Sequence, residues 1–490
     1  MDPSLLVDNR VCPYALKYSA MVPLAFNSKS VPVVFATSNQ STYNQNNLLI
    51  NTTISSGTGF LDGTESFYKF DYRNTSAFTQ RFNHSAHSLI ETLRVLSNSQ
   101  ALEDIRHYDK LHSLLADMNL SPENRVARLQ EGYGCNATPI IDASTNVLDV
   151  SGAVGCASTA GVNAELLKLR VGLENHSRAS LKCVDELTVA PGDTVTICLP
   201  LELSNLVGTQ QRKLLPLWLM NNLVIEIGLN KNAVFNVSGA NAATTAPTFE
   251  ISNVQFHGSL IEFESSVNQA LVAMASGAAG GPALGIHLHG CTWTNNMSQM
   301  AINQNTITYN EQFRSVKSLF VSFIYNGMGH HRRQTERNNN RVTSIQYKFG
   351  SQYLPSYPIS GDSWEKEKNA EYVVELMKAC GEYSNSMHTG LINTESFEYN
   401  NPSPTAEAGS AALGIAAVPY KPNECGRSSF GINTESFSKE NCESGLNAII
   451  NTPIGIKWQG GSAVAQDAYL FVYHDVVYNV MPNGVITKSQ

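Results

Sequence analysis

Every second residue is apolar in several short segments of this chain, and turn-forming residues separate the segments. In 223–229 each odd-numbered position is leucine or isoleucine, and 193–199 and 343–349 show a similar alternation. A period of two is the pattern of a β-strand with one face buried. Asn, Gly and Pro, which are frequent between the segments, form turns and are depleted from strand interiors. The sequence therefore predicts an all-β protein with many short strands.

Two further segments, 316–325 and 468–480, are apolar on both faces. An antiparallel sandwich normally leaves one face of each strand in water. These two strands therefore need a second cover, which a long loop, another domain or another subunit would provide.

Helical patterns are few. Residues 101–119 place apolar side chains at the helical period, and Ser121 followed by Pro122 is typical of a helix start. A third helix is predicted over 369–380, ending at Gly381. A short connecting helix is predicted over 265–275, and we place the main domain boundary at the Gly-rich stretch that follows it.

Size and charge exclude several classes of protein. The 490 residues fit two all-β domains of about 250 residues or three ordinary domains of about 150. The net charge of −8, with both signs mixed, excludes a polybasic protein that its overall field holds to nucleic acid. Charged residues make up only 15% of the chain, against about 25% in ordinary soluble proteins. A surface this poor in charge predicts that partners cover much of it.

Cysteines and targeting signals indicate a reducing compartment. The nine cysteines are an odd number and form no Cys-x-x-Cys pair, which favours reduced, buried thiols in a cytosolic or nuclear setting. The first residues lack the basic and apolar regions of a signal peptide. No apolar run reaches about 18 residues, so we expect no membrane span.

Catalytic motifs are absent from the sequence: it has no phosphate-binding loop, no Gly-x-Ser-x-Gly and no His-Glu-x-x-His. The best metal constellation is His287, His289 and Cys291, which share one face of a strand. This His-x-His pattern resembles cupins, but the cupin glutamate is missing, since Thr294 stands near its place. We therefore expect no metal and no cofactor. A metal-dependent cupin-like enzyme remains the first alternative function.

One basic cluster stands out. His330 and His331 precede four arginines in a segment that an Asn-Asn-Asn run marks as a loop; the arginines are Arg332, Arg333, Arg337 and Arg341. A solvated loop is one interpretation, and contact with nucleic acid or an inner-face partner is the other.

Several segments in a consistent order resemble the double jelly-roll major capsid proteins of polinton-like viruses, adintoviruses and virophages. They are Ser88–Leu96 with Ala101–Leu115, Thr194–Leu229 with its Leu214–Trp218 loop, Phe313–Phe323, and Gly431–Phe437 continuing to Ser444–Asn447. Residues 1–43 and 381–428 show no such match.

The resemblance implies an all-β fold of two consecutive eight-stranded antiparallel jelly-roll barrels with a few inserted helices. The expected organisation is an N-terminal arm (1–43), a first jelly roll (44–265, with a helical insertion near 101–131), a linker (266–283), a second jelly roll (284–480) and a C-terminal tail (481–490). It also implies a structural capsid protein rather than an enzyme. In the family, three such chains form a pseudo-hexagonal capsomer that tiles the icosahedral shell of a double-stranded DNA virus.

The implied partners are further copies of the chain, neighbouring capsomers, penton proteins and minor capsid proteins. Viral DNA and inner-face proteins are additional candidates. The implied location is the virion, after assembly in the host cytoplasm or nucleus. The second alternative is a β-sandwich protein that binds glycans or attaches to a host, for which exposed aromatic residues are expected at Tyr353, Tyr357 and Trp364.

Overall fold

The computed structural model describes residues 28–54, 59–133, 140–142, 147–149, 187–220, 222–236, 245–265, 269–270, 272–273, 285–302, 304–310, 312–325, 335, 337–340, 342–362, 368–383, 392–397, 427–436, 445–449, 453–460, 466–481 and 484–490. In chain order up to the end of the first set of sheets, the strands are β1 (Ser28–Ala36), β2 (Thr42–Asn44), β3 (Leu49–Ile54), β4 (Phe60–Asn74), β5 (Gln80–Phe82), β6 (Ile90–Ser97), β7 (Gln100–Arg106), β8 (Ile140–Asp142), β9 (Val147–Asp149), β10 (Thr188–Val189), β11 (Thr194–Pro200), β12 (Leu215–Pro216), β13 (Leu223–Leu229), β14 (Val234–Asn236) and β15 (Phe249–Phe263).

The remaining strands are β16 (Ile286–Met300), β17 (Thr306–Tyr309), β18 (Val316–Tyr325), β19 (Ser344–Phe349), β20 (Gln352–Ser360), β21 (Phe430–Asn433), β22 (Ile454–Gln459), β23 (Gln466–Val480) and β24 (Ile486–Ser489). The α-helices whose whole length falls in the described ranges are α1 (Tyr108–Asn119), α2 (Pro122–Ala127) and α3 (Ala370–Ala379). Short 3₁₀ turns lie at Ala86–Leu89, Leu129–Glu131 and Thr394–Phe397.

The main strands form two barrels with the same strand order. In the first, one sheet has the order β1-β15-β4-β11 and the facing sheet has the order β3-β13-β6-β7. In the second, the corresponding orders are β16-β23-β18-β21 and β17-β22-β19-β20. When only the eight strands of these two sheets are counted in chain order, each barrel pairs its first, eighth, third and sixth strands in one sheet. Its second, seventh, fourth and fifth strands form the other sheet. All of these pairings are antiparallel, and this order is that of an eight-stranded jelly roll.

The alternating segments of the sequence form strands of these sheets. β13 spans Leu223–Leu229, and each of its odd-numbered residues is buried while the even-numbered ones are half-buried. The segments at 193–199 and 343–349 correspond to β11 and β19. These strands confirm the all-β prediction. The period of two in the sequence reflects the burial of one face of each strand.

Other parts of the same chain cover β18 and β23 on both faces. Phe323 packs on Trp458 inside the second barrel, with ring centroids 5.0 Å apart. On β23, Tyr469 meets His107 of the first barrel edge-on, with ring centroids 5.0 Å apart. The second cover is therefore supplied by the neighbouring barrel and by α3, which packs on β18 and β21. One continuous hydrophobic core runs through both barrels.

The helices agree in part with the predictions. Ser121 caps α2 by accepting a hydrogen bond from the backbone N–H of Asn124, and α3 stops before Gly381, whose φ is +78°. The helix predicted over 101–119 begins only at Tyr108. Its first part is β7, since Asn98 and Ser99 both adopt positive φ and turn β6 back into a hairpin. Of 265–275, residues 265, 269–270 and 272–273 are helical and the others lie outside the described residues.

Two predicted boundaries need correction. β1 lies inside the predicted arm 1–43, yet it pairs with β15 along its whole length, from Ser28 opposite Phe263 to Ala36 opposite Gln255. β24 lies inside the predicted tail 481–490 and pairs with the end of β23. Both are edge strands whose alternation is weak, which is why the sequence did not reveal them. No helix in the described ranges is long and apolar enough to cross a membrane.

Candidate functional sites: the barrel contact and a buried histidine cluster

The two barrels touch through polar as well as apolar contacts. The hydroxyl of Tyr478 on β23 donates to the backbone oxygen of Leu102 on β7 at 3.2 Å. Asn295 on β16 donates to the backbone oxygen of Arg106. Since backbone acceptors have fixed positions, these bonds specify how one barrel sits on the other.

Glu103, which is fully buried on β7, organises the centre of this contact. Its carboxylate accepts from Ser204 Oγ at 2.5 Å and from the backbone N–H of Asn205 at 2.9 Å. Thr292 of the second barrel donates to the same carboxylate at 3.4 Å. Burial raises the pKa of Glu103, and the hydrogen bonds from Ser204 and Asn205 oppose that rise.

A buried group of charges forms a second connection between the barrels. Asp117 on α1 accepts from Arg125 at 2.7 Å and also pairs with Arg337, which precedes β19 of the second barrel. Arg337 further donates to Ser113 Oγ at 3.1 Å. Burial raises the pKa of Asp117, but Arg337 and Arg125 outweigh it and hold that pKa well below its usual range.

This pairing corrects the interpretation of the basic cluster. Arg337 is only 2% exposed, because its guanidinium compensates the Asp117 carboxylate inside the protein. It is therefore not presented to nucleic acid or to an inner-face partner. The other candidates, Arg332, Arg333 and Arg341, lie outside the described residues.

The structure separates the proposed metal constellation on β16. His287 and His289 are exposed, with ring centroids 6.4 Å apart. Cys291 is buried instead, and its thiol donates to Asp475 Oδ1 at 3.2 Å. Burial raises the pKa of the Cys291 thiol to about 11, with Asp475 adding to the rise. A thiol held in this protonated state is a poor metal ligand.

A different set of histidines lies together in the first barrel. His87 belongs to the 3₁₀ turn Ala86–Leu89, whose start Ser85 caps, and His112 lies on α1. Glu131 ends the 3₁₀ turn that follows α2, and Glu202 follows β11. We call these four residues the histidine cluster.

Close contacts hold the histidine cluster together. The rings of His87 and His112 stack with centroids 3.7 Å apart and planes 16° apart. Glu202 Oε2 lies 2.7 Å from His112 Nε2, and Glu131 Oε2 lies 3.5 Å from His87 Nε2. Arg128 pairs with both carboxylates. The ligand atoms of His87, His112 and Glu202 all lie within 4.8 Å of one another.

Burial sets the electrostatics of the histidine cluster. It lowers the pKa of His87 well below the usual value, so that ring is neutral at pH 7. It raises the pKa of Glu131 to about 7, although Arg128 opposes the rise. Burial also raises the pKa of Glu202, but the hydrogen bond with His112 and the positive charge of Arg128 bring it well below the usual value. The cluster thus combines a neutral imidazole with an ionised carboxylate.

Two of the three aromatic residues considered for glycan binding belong to the described residues. Tyr353 and Tyr357 on β20 are 43% and 59% exposed, and Lys348 Nζ lies 5.8 Å from the Tyr353 ring centroid. Trp364 lies outside the described residues.

Sequence reasoning did not find the histidine cluster or Asp117. His87 and His112 are 25 positions apart, and Glu202 comes another 90 positions later, so no local spacing connects them. The turn from Ser85 to His87 matches no known metal-binding motif in the sequence. Only the fold brings these groups together.

No protein-family model and no curated protein sequence matches the chain. Solved structures do match it along nearly its whole length. The quasi-atomic model of the PBCV-1 virus capsid aligns with a TM-score of 0.54 and 9% identity, covering 96% of this chain and 99% of that one. The Faustovirus major capsid protein aligns with a TM-score of 0.55 and 8% identity, covering 96% and 93%. The Sputnik virophage structure determined by cryo-EM aligns with a TM-score of 0.49 and 12% identity, covering 100% and 92%.

The matches to PBCV-1 and Faustovirus extend across both barrels. The chain therefore has the double jelly-roll fold of viral major capsid proteins, as its sequence resemblance implied. At this level of identity the likeness concerns the fold.

Proposed function

We propose that the chain is a structural major capsid protein of a double-stranded DNA virus. Three copies form a pseudo-hexagonal capsomer, and the capsomers tile an icosahedral shell. The observation that carries this proposal is the repeated strand order of two joined jelly rolls, aligned over 96% of the chain with the PBCV-1 capsid and with the Faustovirus major capsid protein. The protein's location is then the virion.

The contact between the barrels supports a geometric role. Tyr478 with Leu102 and Arg337 with Asp117 connect the barrels at separate places. A unit whose two halves keep a fixed arrangement can present the same side surfaces to every neighbour, which closed symmetric assemblies require.

Open sheet edges support association with further copies. β1 pairs with β15 alone, and β20 pairs with β19 alone, among the described strands. Val34 on β1 is 52% exposed, and β20 carries the exposed Tyr353 and Tyr357. Proteins normally cover or protect such apolar edges. We propose that neighbouring copies or minor capsid proteins cover them.

We propose no catalytic role. The His287 and His289 pair lacks the third ligand that a cupin-like site needs, because the Cys291 thiol is directed to Asp475. Arg332, Arg333 and Arg341 remain proposed contacts for viral DNA or an inner-face protein. If they serve this purpose, changing all three to Gln lowers genome content per particle, and unchanged content removes the idea.

Sedimentation of the purified chain, followed by negative-stain microscopy, tests the capsid role. We expect a trimeric species and hexagonal tiles. A chain that sediments as a monomer at every concentration contradicts the trimer. Glycan binding by such a monomer would favour the attachment-protein alternative instead.

A further inference from the structure

The histidine cluster lies where four separate segments of the first half of the chain meet. The segments are the turn with His87, helix α1 with His112, the turn with Glu131, and the loop after β11 with Glu202. None of these residues takes part in the contacts between the barrels described above. The cluster therefore has no evident role in joining the barrels.

Several polar atoms in the histidine cluster lack partners. Neither ring nitrogen of His87 has a hydrogen-bond partner among the described residues, although the side chain is fully buried. His112 Nδ1 and Glu131 Oε2 are in the same position. Buried polar atoms are nearly always hydrogen-bonded, because leaving one unpaired costs free energy. A bound ion that takes one nitrogen of His87 and an oxygen of Glu131 would compensate part of this cost.

We propose that His87, His112 and Glu202 bind a divalent transition-metal ion, with Glu131 completing the set as fourth ligand. Two imidazoles and two carboxylates suit Zn²⁺, whereas Mg²⁺ and Ca²⁺ prefer oxygen ligands alone. Ligand atoms that share one zinc at about 2 Å lie about 3–4 Å apart. The ligand atoms of His87, His112 and Glu202 lie within 4.8 Å of one another, and Glu131 Oε2 lies 3.5 Å from His87 Nε2. Because the rings of His87 and His112 are stacked, one ring must turn so that a nitrogen of each faces the ion.

The surroundings favour an ion in this place. The carboxyl groups of Glu202 and Glu131 both lie beside the guanidinium of Arg128, and both offer oxygen ligands to a divalent cation. The ion would lie beside His112 Nε2 and Glu202 Oε2, which are 2.7 Å apart. Arg128 pairs with Glu202 and Glu131 and so orients both carboxylates, as partners outside the ligand set commonly do. Four protein ligands without an open position make the site structural.

Measuring metal content of the purified full-length chain tests the site directly. After equilibration with ZnCl₂ and removal of free ion, we expect about one tightly held zinc per chain by elemental analysis. The variant His87→Gln/His112→Gln should lose it. The matched control His287→Gln/His289→Gln, which removes the same residue types from an exposed place, should retain it.

Two results would overturn the proposal. One is wild-type protein without stoichiometric zinc. The other is zinc that disappears with the exposed pair and stays with the cluster variant, which would show a surface site instead.

A measurement on unmutated protein covers the case in which the cluster variant does not fold. Co²⁺ bound by this set in a tetrahedral site should give intense visible absorption, and Zn²⁺ should abolish it by competition. Zn²⁺ should also raise the thermal midpoint of the wild-type chain, and a chelator should reverse the rise. Absence of both effects contradicts the site. Neither readout depends on capsid assembly, so the two proposals fail separately.

Discussion

Arg337 of the second barrel forms a buried ion pair with Asp117 on helix α1 of the first barrel. Asp117 also pairs with Arg125, so one carboxylate compensates two guanidiniums away from water. Charges in such a place are stable only while each has a partner. The pair is therefore a sensitive point for the stability of the chain.

Replacement of Asp117 tests that sensitivity. Asp117→Asn leaves Arg125 and Arg337 buried without a counter-charge, and we expect a loss of about 3–5 kcal/mol in the free energy of unfolding. Asp104→Asn is the control, since its ion pairs with Arg106 and Arg94 are partly exposed to solvent and should each contribute only about 0–1 kcal/mol. Urea unfolding followed by circular dichroism measures both. Equal losses in the two variants would contradict the buried pair.

Gly431 tests the packing of α3 on the second barrel. A Cβ at this position would lie 2.9 Å from Leu376 Cδ1 and 3.0 Å from Ala379 Cβ. Gly431→Val should therefore displace α3 and destabilise the chain by about 1–3 kcal/mol. Gly455→Ala on β22 is the control, because its nearest neighbour is at an ordinary 3.4 Å. Thermal unfolding distinguishes them, and an unaffected Gly431→Val midpoint would show that α3 does not pack closely.

Tyr478 tests the hydrogen bond between the barrels. Tyr478→Phe removes the hydroxyl that donates to Leu102, which should cost about 1 kcal/mol because a buried backbone oxygen loses its partner. Tyr353→Phe makes the same chemical change on the exposed strand β20 and should have almost no effect. Chemical denaturation compares the two midpoints. A midpoint for Tyr478→Phe equal to that of the control would refute the contribution.

His474 predicts an acid-sensitive component of stability. Burial lowers its pKa to about 4, while Asp475 opposes the shift and Lys488 adds to it. The neutral ring lies 3.0 Å from Thr294 Oγ1 and stacks on Phe313 with centroids 4.1 Å apart. The unfolded chain takes up this proton near pH 6.5, so the contribution is complete above that pH and is lost as the pH falls towards 4.

The loss amounts to about 3 kcal/mol. The free energy of unfolding should fall less between pH 7 and pH 4.5 for His474→Gln than for the wild type. The control His289→Gln, which changes an exposed residue, should show the same fall as the wild type. An unchanged difference in His474→Gln would assign the acid sensitivity to other groups.

Most of the fold could be read from the sequence because burial of one face imposes a period of two, as in β13. The sequence did not predict β7, because Leu102 and Ile105 also fit a helical period. In the structure Asn98 and Ser99 adopt positive φ and form the turn of a hairpin. The family resemblance, rather than periodicity, indicated two barrels.

The sites were harder to predict, because they depend on contacts between distant segments. Arg337 looked like part of a solvated basic loop, and only the position of α1 shows that Asp117 takes up its charge. His87, His112 and Glu202 share no motif, so their proximity follows from the way the loops close over the first barrel.

The connections at Tyr478 and at Arg337 lie in different places, so neither barrel can rotate about the other without breaking one of them. We therefore expect the two barrels to move as one body. In the proposed shell, any change of angle between neighbouring units would then occur at the contacts between chains and not between the two barrels of one chain.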